Sequence, residues 1–235
     1  MKISLIIPAH NEEKYLGRCL KSVTEHAKDL FEIIVIDNAS KDKTSEVAKA
    51  FPGVRVVLES KKGLTKARQR GLLEAKGDIL AYIDADTYVS ENWFSVIKRE
   101  FAKNKNLACL SGPYKYYDIP KLHQIFVSVY WYFGYITYLF TNYMIVGGNF
   151  AIRKDVIEKM GGFDTTIEFY GEDTNVARRA KEHGKVKFDF DFFIHTSGRR
   201  FAGQGLANTA WVYVINFFSE VFRHKPITKE YTDIR

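Results

Sequence analysis

The feature that most constrains this chain is the stretch 77–87, an apolar run that ends in two carboxylates. Residues 79–83 are apolar and long enough to form one buried strand. Asp84 and Asp86 follow and, in an extended chain, point to the same side. Two carboxylates at a strand end suit Mg²⁺ or Mn²⁺, with a diphosphate completing the coordination shell. Alternatively, Asp86 caps the turn before a helix near Glu91.

Further apolar runs alternate with helical patterns along the first half of the chain. The runs at 2–8, 31–36 and 54–58 indicate strands, and residues 64–75 have a helical pattern before the strand at 79–83. This alternation predicts an α/β fold with a doubly wound, mostly parallel sheet.

Polar residues follow these strands at the edge where open α/β sheets bind ligands. With the strand order 3-2-1-4, Asn11, Asp37 and Asp84 share one crevice. The chain has no Gly-x-Gly-x-x-Gly after the first strand and no P-loop motif, so another group must hold phosphate. We expect a metal on Asp84 and Asp86 to do so, helped by Arg68. An arginine near a helix start suits a diphosphate or the carboxylates that bind its metal, although an arginine on a helix is also typical of a solvated face.

The charge balance limits the class of partner. A net charge of +7 and a pI of about 9.2 favour an anion: a nucleotide, a nucleic acid or an acidic membrane. The basic residues are spread along the chain, so we expect no nucleic acid. Cys19 and Cys109 cannot form a disulfide framework and have no metal-type spacing. With a strand directly at the N-terminus and no signal peptide, we expect a cytoplasmic protein, or one at the cytoplasmic face of the membrane.

Residues 124–152 contain no charged side chain. This segment would be long enough to span a membrane. Tyrosines and polar residues crowd this segment, however, and such residues prefer the membrane interface to its centre. We therefore expect a buried or interfacial helix. The stretch 206–222 has an amphipathic, aromatic pattern, which is typical either of packing on the domain or of resting on a bilayer. The two segments predict peripheral membrane association.

Taken together, these motifs resemble those of the family 2 glycosyltransferases, which have the GT-A fold. The matching stretches occur in the family's order and are residues 7–12, 35–42, 63–71, 84–86, 147–149 with Arg153, 162–164 and 171–173. The resemblance covers residues 1 to about 184. It implies a Rossmann-like nucleotide-binding half, and transfer of a sugar from a nucleotide-sugar donor with inversion at the anomeric carbon.

The resemblance also implies roles for single residues. Asp37 matches the acid that contacts the nucleobase, and Arg68 matches the basic position near the diphosphate. Asp84 and Asp86 match the metal motif, with Asp86 preferred as the direct ligand, and Asp173 matches the general base. The residues implied to bind the nucleotide sugar are Pro8, Ala9, Asn11, Glu12, Asp37, Arg68, Asp84, Gly147 and Gly148.

Residues after the last matching motif add further candidates. His195 is either a third metal ligand or a satisfied structural histidine. Arg199 and Arg200 either close over phosphate or form basic surface. The implied partners are Mg²⁺ or Mn²⁺, a nucleotide-diphosphate sugar, with UDP or GDP preferred, and a glycan or lipid-linked acceptor. A lipid phosphate is already an anion, so the need for a base would be weaker.

The resemblance predicts one GT-A domain over residues 1–235. Its parts are a nucleotide-sugar-binding half (1–112), an acceptor-binding half (113–200) and a C-terminal amphipathic helix and tail (201–235). The Gln-x-x-Arg-Trp pattern of processive members is missing, and Gln69 stands where the family usually has asparagine. Two alternatives share the fold: a nucleotidyltransferase, which is expected to carry a glycine-rich loop after the first strand, and a non-enzymatic membrane-surface module.

Overall fold

The computed structural model describes residues 1–228, except for the side chains of Ala202, Gln204, Leu206 and Ala207. The first half alternates strands and helices: β1 (Ile3–Ala9), α1 (Leu16–His26), β2 (Glu32–Asn38), α2 (Thr44–Lys49), β3 (Val54–Glu59), α3 (Leu64–Glu74) and β4 (Ile79–Ile83). The second half is less regular: β5 (Thr87–Val89), α4 (Trp93–Lys103), β6 (Leu107–Ser111), β7 (Tyr114–Tyr116), α5 (Lys121–Thr141), β8 (Asn149–Arg153), α6 (Lys154–Lys159), α7 (Glu172–Lys181), β9 (Lys185–Phe188), β10 (Ile194–Thr196), α8 (Arg199–Gln204) and α9 (Leu206–Arg223). The end of the predicted tail lies outside the described residues.

Seven strands form one sheet in the order β3-β2-β1-β4-β8-β6-β9. The first four are parallel neighbours, which confirms the predicted order 3-2-1-4. β8 runs antiparallel to β4 and β6, and β9 is parallel to β6. The predicted α/β fold with a doubly wound, mostly parallel sheet is confirmed, and the carboxyl ends of β1, β2 and β4 meet at one edge. The division into two functional halves stays a prediction.

Alternating strand residues pack against helices on the two faces of this sheet. Leu5 and Ile7 of β1 belong to the core under α1, whereas Ile6 belongs to the core under α3, with Leu72. All four side chains are buried. The approach of α3 to β1 is so close that a Cβ on Gly71 would overlap the Ile6 side chain. The crossing therefore requires glycine.

A smaller sheet has the order β5-β10-β7. β5 begins directly after Asp86, and β10 ends shortly before Arg199. Thr87 of β5 pairs with Thr196 of β10. The small sheet therefore joins the segment after the Asp-x-Asp motif to the segment that carries Arg199.

The helix α5 is mostly exposed. Only Val127 among its residues is buried, whereas Phe126, Phe133 and Phe140 are exposed. A buried helix, one of the two predicted alternatives, therefore does not describe α5, whereas Met144, Ile145 and Val146, later in the segment 124–152, are buried. No helix among residues 1–228 is long and apolar enough to cross a membrane.

The helix α9 reverses the usual arrangement of polar and apolar side chains. Asn216, Ser219 and Glu220 are buried, whereas Trp211 and Phe222 are exposed. The helix packs on the domain through its polar face, where Glu220 accepts a hydrogen bond of 3.0 Å from Asn175. Packing on the domain, one of its two predicted alternatives, therefore agrees with the structure, and resting on a bilayer stays a prediction.

Asn149 links three parts of the fold from the start of β8. Its Oδ1 accepts a hydrogen bond of 3.0 Å from Trp93 Nε1. Its Nδ2 donates to the carbonyl oxygens of Gly112, at 3.1 Å, and Phe192, at 2.7 Å. Since Asn149 is fully buried, no solvent could replace these bonds.

Replacing Asn149 by Ala should lower the free energy of unfolding by about 2–4 kcal/mol, because three buried polar groups lose their partner. Chemical denaturation would measure this loss. The matched control is Asn106→Ala at an exposed position, where we expect a change within about 0.5 kcal/mol. Equal stability of the two variants would contradict the structural role of Asn149.

Candidate active site

A cavity of about 380 Å³ opens at the edge where the carboxyl ends of β1, β2 and β4 meet. One wall comes from the chain after these strands and from the start of α3. The opposite wall includes Tyr114, Phe169, Arg199 and Tyr213 from the second half. The predicted site residues that line the cavity are Pro8, Ala9, Glu12, Asp84 and Asp86.

Asp84 faces the cavity from the end of β4, with 36% of its side chain exposed. Its Oδ2 accepts a hydrogen bond of 3.3 Å from the Tyr114 hydroxyl, whose oxygen accepts one of 2.7 Å from the Gly148 amide. A Cβ on Gly148 would overlap both Asp84 Oδ2 and the Tyr114 hydroxyl. The predicted loop therefore approaches Asp84, and it does so only because Gly148 has no side chain.

Arg68 lies underneath the cavity and does not line it. Its side chain is 1% exposed, Nη1 pairs with the Glu172 carboxylate, and Nη2 donates at 2.5 Å to the Gly147 carbonyl. Nη2 also lies 3.4 Å from Asp84 Oδ1. Arg68 thus contacts a carboxylate of the Asp-x-Asp motif, one of its two predicted roles. Its contact with the diphosphate stays a prediction, since this residue lies on the buried face of α3. Arg68 also joins three segments of the site, through Asp84, Gly147 and Glu172.

Glu172 is the buried partner of Arg68 at the start of α7. Burial raises the pKa of Glu172 to about 7, and this effect outweighs the opposing influence of Arg68. The charge of Asp173 raises the pKa further. Glu172 Oε2 is buried and has no hydrogen-bond partner among residues 1–228. Glu172 therefore holds its charge less readily than a surface glutamate would.

Asp173 follows in the first turn of α7 and is half-buried. Burial raises its pKa, and its Oδ1 accepts a hydrogen bond of 2.8 Å from the Thr174 amide. Burial raises the pKa of Tyr130 to about 12, and it also raises the pKa of Tyr213. The charge of Asp173 adds to both shifts. Asp84 contributes to the shift at Tyr213 as well. The charges of both carboxylates therefore act on Tyr213, which lines the cavity.

Arg199 joins the loops that follow β1 and β4. Its guanidinium makes hydrogen bonds of 3.1 Å and 2.5 Å to Glu12, and Nη2 lies 3.0 Å from Asp86 Oδ2. Its guanidinium carbon lies 4.8 Å from the centre of the Tyr15 ring. Burial lowers the pKa of Arg199, but Asp86 and Glu12 outweigh it and raise the pKa. In the structure, Arg199 thus faces carboxylates.

Asn11 and Asp37 come close together but do not line the cavity. Asp37 accepts hydrogen bonds of 3.1 Å from the Ser40 amide and 2.6 Å from the Ser45 hydroxyl. The Asn11 amide donates to Ser40 Oγ at 3.0 Å, and Asn11 Oδ1 accepts from the Lys41 amide at 2.8 Å. Both side chains shape the loop after β2, which borders the cavity.

His195 does not join the two carboxylates of the Asp-x-Asp motif. Its ring stacks on Tyr88, with the centroids 4.5 Å apart. The next residue, Thr196, lines the cavity, and successive residues of a strand point to opposite faces. Burial lowers the pKa of His195, and the charges of Lys115 and Arg18 add to the effect. The structure therefore favours the structural alternative for His195.

The donor set at the Asp-x-Asp motif suits a divalent metal that is shared with a ligand. Asp84 and Asp86 both line the cavity and offer hard oxygen atoms. Within the described residues, no group of three or more His, Cys, Asp or Glu side chains could hold a metal ion. Mg²⁺ is commonly bound by one or two carboxylates plus phosphate oxygens, so these residues fit such a site and not an all-protein cage.

Several cavity residues were not predicted from the sequence. Asn38 accepts a hydrogen bond of 2.8 Å from the Gly63 amide and donates one of 2.8 Å to the Lys61 carbonyl, and so connects β2 to the start of α3. Its place after Asp37 at a strand end was a usable signal. Tyr114 and Tyr213 gave no such signal, because only the tertiary fold brings them to the cavity.

Comparison with known proteins identifies the family. Residues 4–161, well over half of the chain, match the model of glycosyl transferase family 2. The chain belongs to this family. The predicted resemblance to the family 2 glycosyltransferases is therefore confirmed.

Curated relatives of this glycosyltransferase family 2 chain are longer than the chain itself. A probable glycosyltransferase of Bacillus subtilis (strain 168), YdaM, is 28% identical over 200 residues, which are 78% of this chain and 47% of the relative. Glycosyltransferase GlyG of Streptococcus pneumoniae serotype 4 is 31% identical over 121 residues, 49% of this chain and 40% of that protein. The chain thus spans about half or less of these relatives.

Solved structures confirm the predicted GT-A fold. Residues 1–349 of TarS from S. aureus align with a TM-score of 0.67 at 16% identity, covering 97% of this chain and 67% of that one. The mannosyltransferase PcManGT from Pyrobaculum calidifontis, in complex with GDP-Man and Mn²⁺, aligns with a TM-score of 0.70 at 18% identity, covering 94% and 64%. At these identities the likeness shows the fold alone.

The raised pKa of Glu172 predicts a pH dependence of stability. The pKa of Glu172 is higher in the folded protein, about 7, than its ordinary value of 4.5. The carboxyl therefore makes its full contribution to the free energy of unfolding below pH 4.5, and this contribution is lost as the pH rises through about 7. The parent should therefore lose stability relative to Glu172→Gln between these pH values. Denaturation curves at several pH values would measure the difference. Glu91→Gln, at an exposed position, is the control and should follow the parent. A constant difference between parent and Glu172→Gln would contradict the prediction.

Proposed function

We propose that this chain transfers a sugar from a nucleoside diphosphate sugar to a hydroxyl or lipid-phosphate acceptor, without processivity and with inversion at the anomeric carbon. The observation that carries the proposal is the cavity whose wall holds Asp84 and Asp86. Asp173 does not line this cavity, but its charge acts on the cavity residue Tyr213. Family membership and fold support a nucleotide-sugar donor, since a structural neighbour of the same fold was solved with UDP-GlcNAc and another with GDP-Man.

The nucleoside would lie against the loops after β1 and β2. Pro8, Ala9 and Asn38 line this part of the cavity. Asn11 and Asp37 support the same loops, so a direct contact of Asp37 with the nucleobase would use the lone pairs that Ser40 and Ser45 leave. A thermal-shift screen of UDP- and GDP-sugars would identify the donor, because a ligand that binds the native state raises the melting temperature.

The diphosphate would lie near the Asp-x-Asp motif. We propose that Asp84 and Asp86 hold Mg²⁺ or Mn²⁺, which, when bound, neutralises charge on the leaving nucleoside diphosphate. Basic side chains that line the same cavity, Lys62, Lys66 and Arg200, would add to this stabilisation. Gly147 and Gly148 would border the donor sugar, since the Gly148 backbone lies against Asp84.

Asp173 is the proposed general base. A hydroxyl acceptor must lose its proton as its oxygen attacks the anomeric carbon, and Asp173 would take that proton at a carboxylate oxygen. Its raised pKa improves it as a proton acceptor, because a base works best with a pKa close to the working pH. Inversion requires attack opposite the leaving diphosphate, so the base and the metal carboxylates belong on different sides of the sugar.

Replacing Asp173 by Asn should reduce the transfer rate to a hydroxyl acceptor by about a hundredfold to ten-thousandfold, with nucleotide affinity retained, since the proton acceptor is lost and the shape is kept. The matched control is Asp155→Asn, because Asp155 lies in the first turn of α6 as Asp173 lies in the first turn of α7. Both variants lose a carboxylate at the start of a helix, so the control shows whether that loss alone lowers the transfer rate. Normal turnover of Asp173→Asn would return Asp173 to a role at the helix end.

We also propose that the exposed aromatic faces of α5 and α9 rest on an anionic bilayer, with a lipid-linked acceptor. These outer aromatic faces comprise Phe126, Phe133 and Phe140 on α5, and Trp211 and Phe222 on α9. Both helices carry exposed apolar side chains, and each has a cation at one end, Lys121 in α5 and Arg223 in α9. Such a pattern fits insertion of apolar groups beneath anionic headgroups. The charge of Asp173 acts on Tyr130 of α5 and Tyr213 of α9, so an acceptor presented by the bilayer would reach the base between these helices.

The double variant Phe133→Glu/Phe140→Glu should lose flotation with anionic vesicles at low salt, because charge opposes insertion of α5. The control is Leu58→Glu/Leu73→Glu, which adds the same charge at leucines that are 68% and 72% exposed in the nucleotide half. We expect the control to float with the vesicles as the parent does. A parent that stays wholly soluble with vesicles, or equal loss in both variants, would contradict the proposed membrane face.

A further inference from the structure

Arg199 binds the carboxylate that the metal proposal requires. Nη2 of Arg199 lies 3.0 Å from Asp86 Oδ2, and the same guanidinium is held by Glu12. The Arg199 side chain is 18% exposed and that of Asp86 13%, so water screens this ion pair less than it screens a surface pair. The guanidinium and a divalent cation would therefore both need the Asp86 carboxylate.

The segment that carries Arg199 is anchored at its beginning. Ser197 Oγ and the Gly198 amide both donate, each at 2.5 Å, to the Asp118 carboxylate. The turn also packs closely against Ile119, because a Cβ on Gly198 would overlap the Ile119 side chain. The turn thus fixes the backbone of Arg199 at the cavity wall, while the long side chain can still rotate about its own bonds.

We propose that Arg199 competes with a divalent cation for Asp86, so that the cation binds tightly only together with a nucleoside diphosphate. Two cations repel each other at one carboxylate, so a cation alone must overcome the Arg199 ion pair. A diphosphate in the cavity supplies further oxygen ligands for the cation and a new anionic partner for the guanidinium. This inference rests on the metal dependence proposed above.

The competition makes cation and nucleotide binding cooperative. Glu12 would keep Arg199 at the cavity wall when the guanidinium leaves Asp86, because Glu12 accepts hydrogen bonds from both Nη1 and Nη2 of the same group. By linkage, the factor by which nucleotide tightens cation binding equals the factor by which the cation tightens nucleotide binding. Both factors should shrink when Arg199 is replaced by a neutral side chain.

Mn²⁺ titrations followed by electron paramagnetic resonance test this without measuring catalysis. Without nucleotide, Arg199→Gln should bind Mn²⁺ about fivefold to tenfold more tightly than the parent, the size expected for one partly buried ion pair. Addition of UDP or GDP should tighten Mn²⁺ binding more in the parent than in this variant. Arg199→Lys keeps the charge but loses the two-pronged geometry, and it should lie between the two.

Arg18→Gln is the matched control. Arg18 is exposed and does not line the cavity, and its guanidinium carbon lies 4.2 Å from the centre of the Tyr88 ring. This variant also removes one positive charge but leaves the Asp86 ion pair, so its Mn²⁺ affinity should stay close to that of the parent. Thermal unfolding of each variant would verify that it is folded.

Equal Mn²⁺ affinity of the parent and Arg199→Gln would overturn the competition. An equal gain in Arg18→Gln would also overturn it, because the effect would then be general electrostatics. If Mn²⁺ binds none of the folded proteins even with UDP or GDP, the proposed metal dependence fails, and the competition fails with it. Failure of the competition alone is thus distinguishable from failure of the metal site.

Discussion

The candidate site depends on one buried guanidinium. Arg68 joins the end of β4, the loop before β8 and the start of α7, through Asp84, Gly147 and Glu172. Removing one partner of a buried ion pair costs about 3–5 kcal/mol, because the other charge is left without compensation. The three segments are therefore difficult to separate. Arg68 fixes the spacing of the site from the interior and leaves the cavity wall to other side chains.

Much of the fold could be predicted because its signals are local. The apolar runs of β1, β2, β3 and β4 are short, and helical patterns separate them, so a parallel sheet was the natural arrangement. The site at its edge followed from the same reasoning. Asp84 and Asp86 end a strand that is buried along its whole length, and both carboxylates line the cavity. Two aspartates one residue apart at the carboxyl end of a buried strand therefore pointed to a ligand site from the sequence alone.

The orientations of Arg68, His195 and the aromatic side chains depend on which face of a helix or strand is buried. A short sequence pattern is a poor predictor of that face. Arg68 had the sequence context of a phosphate-binding arginine, yet it lies on the sheet side of α3. His195 lies one residue from a cavity residue, and the two-residue period of a strand turns it away. The outward aromatic side chains of α5 and α9 break the rule that apolar groups lie inside, so hydropathy alone could not orient them.

Several contacts around the site join parts of the chain that are far apart in sequence. The Ser90 hydroxyl donates a hydrogen bond to the Phe193 carbonyl across 103 residues, and Arg199, in the cavity wall, donates to Glu12 across 187 residues. Contacts of such separation form late in folding, because the entropy of a long loop must be overcome first. During synthesis on the ribosome, the parallel strands β1 to β4 emerge well before α8. A nascent chain can therefore assemble the first four strands while the cavity still lacks Arg199 from its opposite wall.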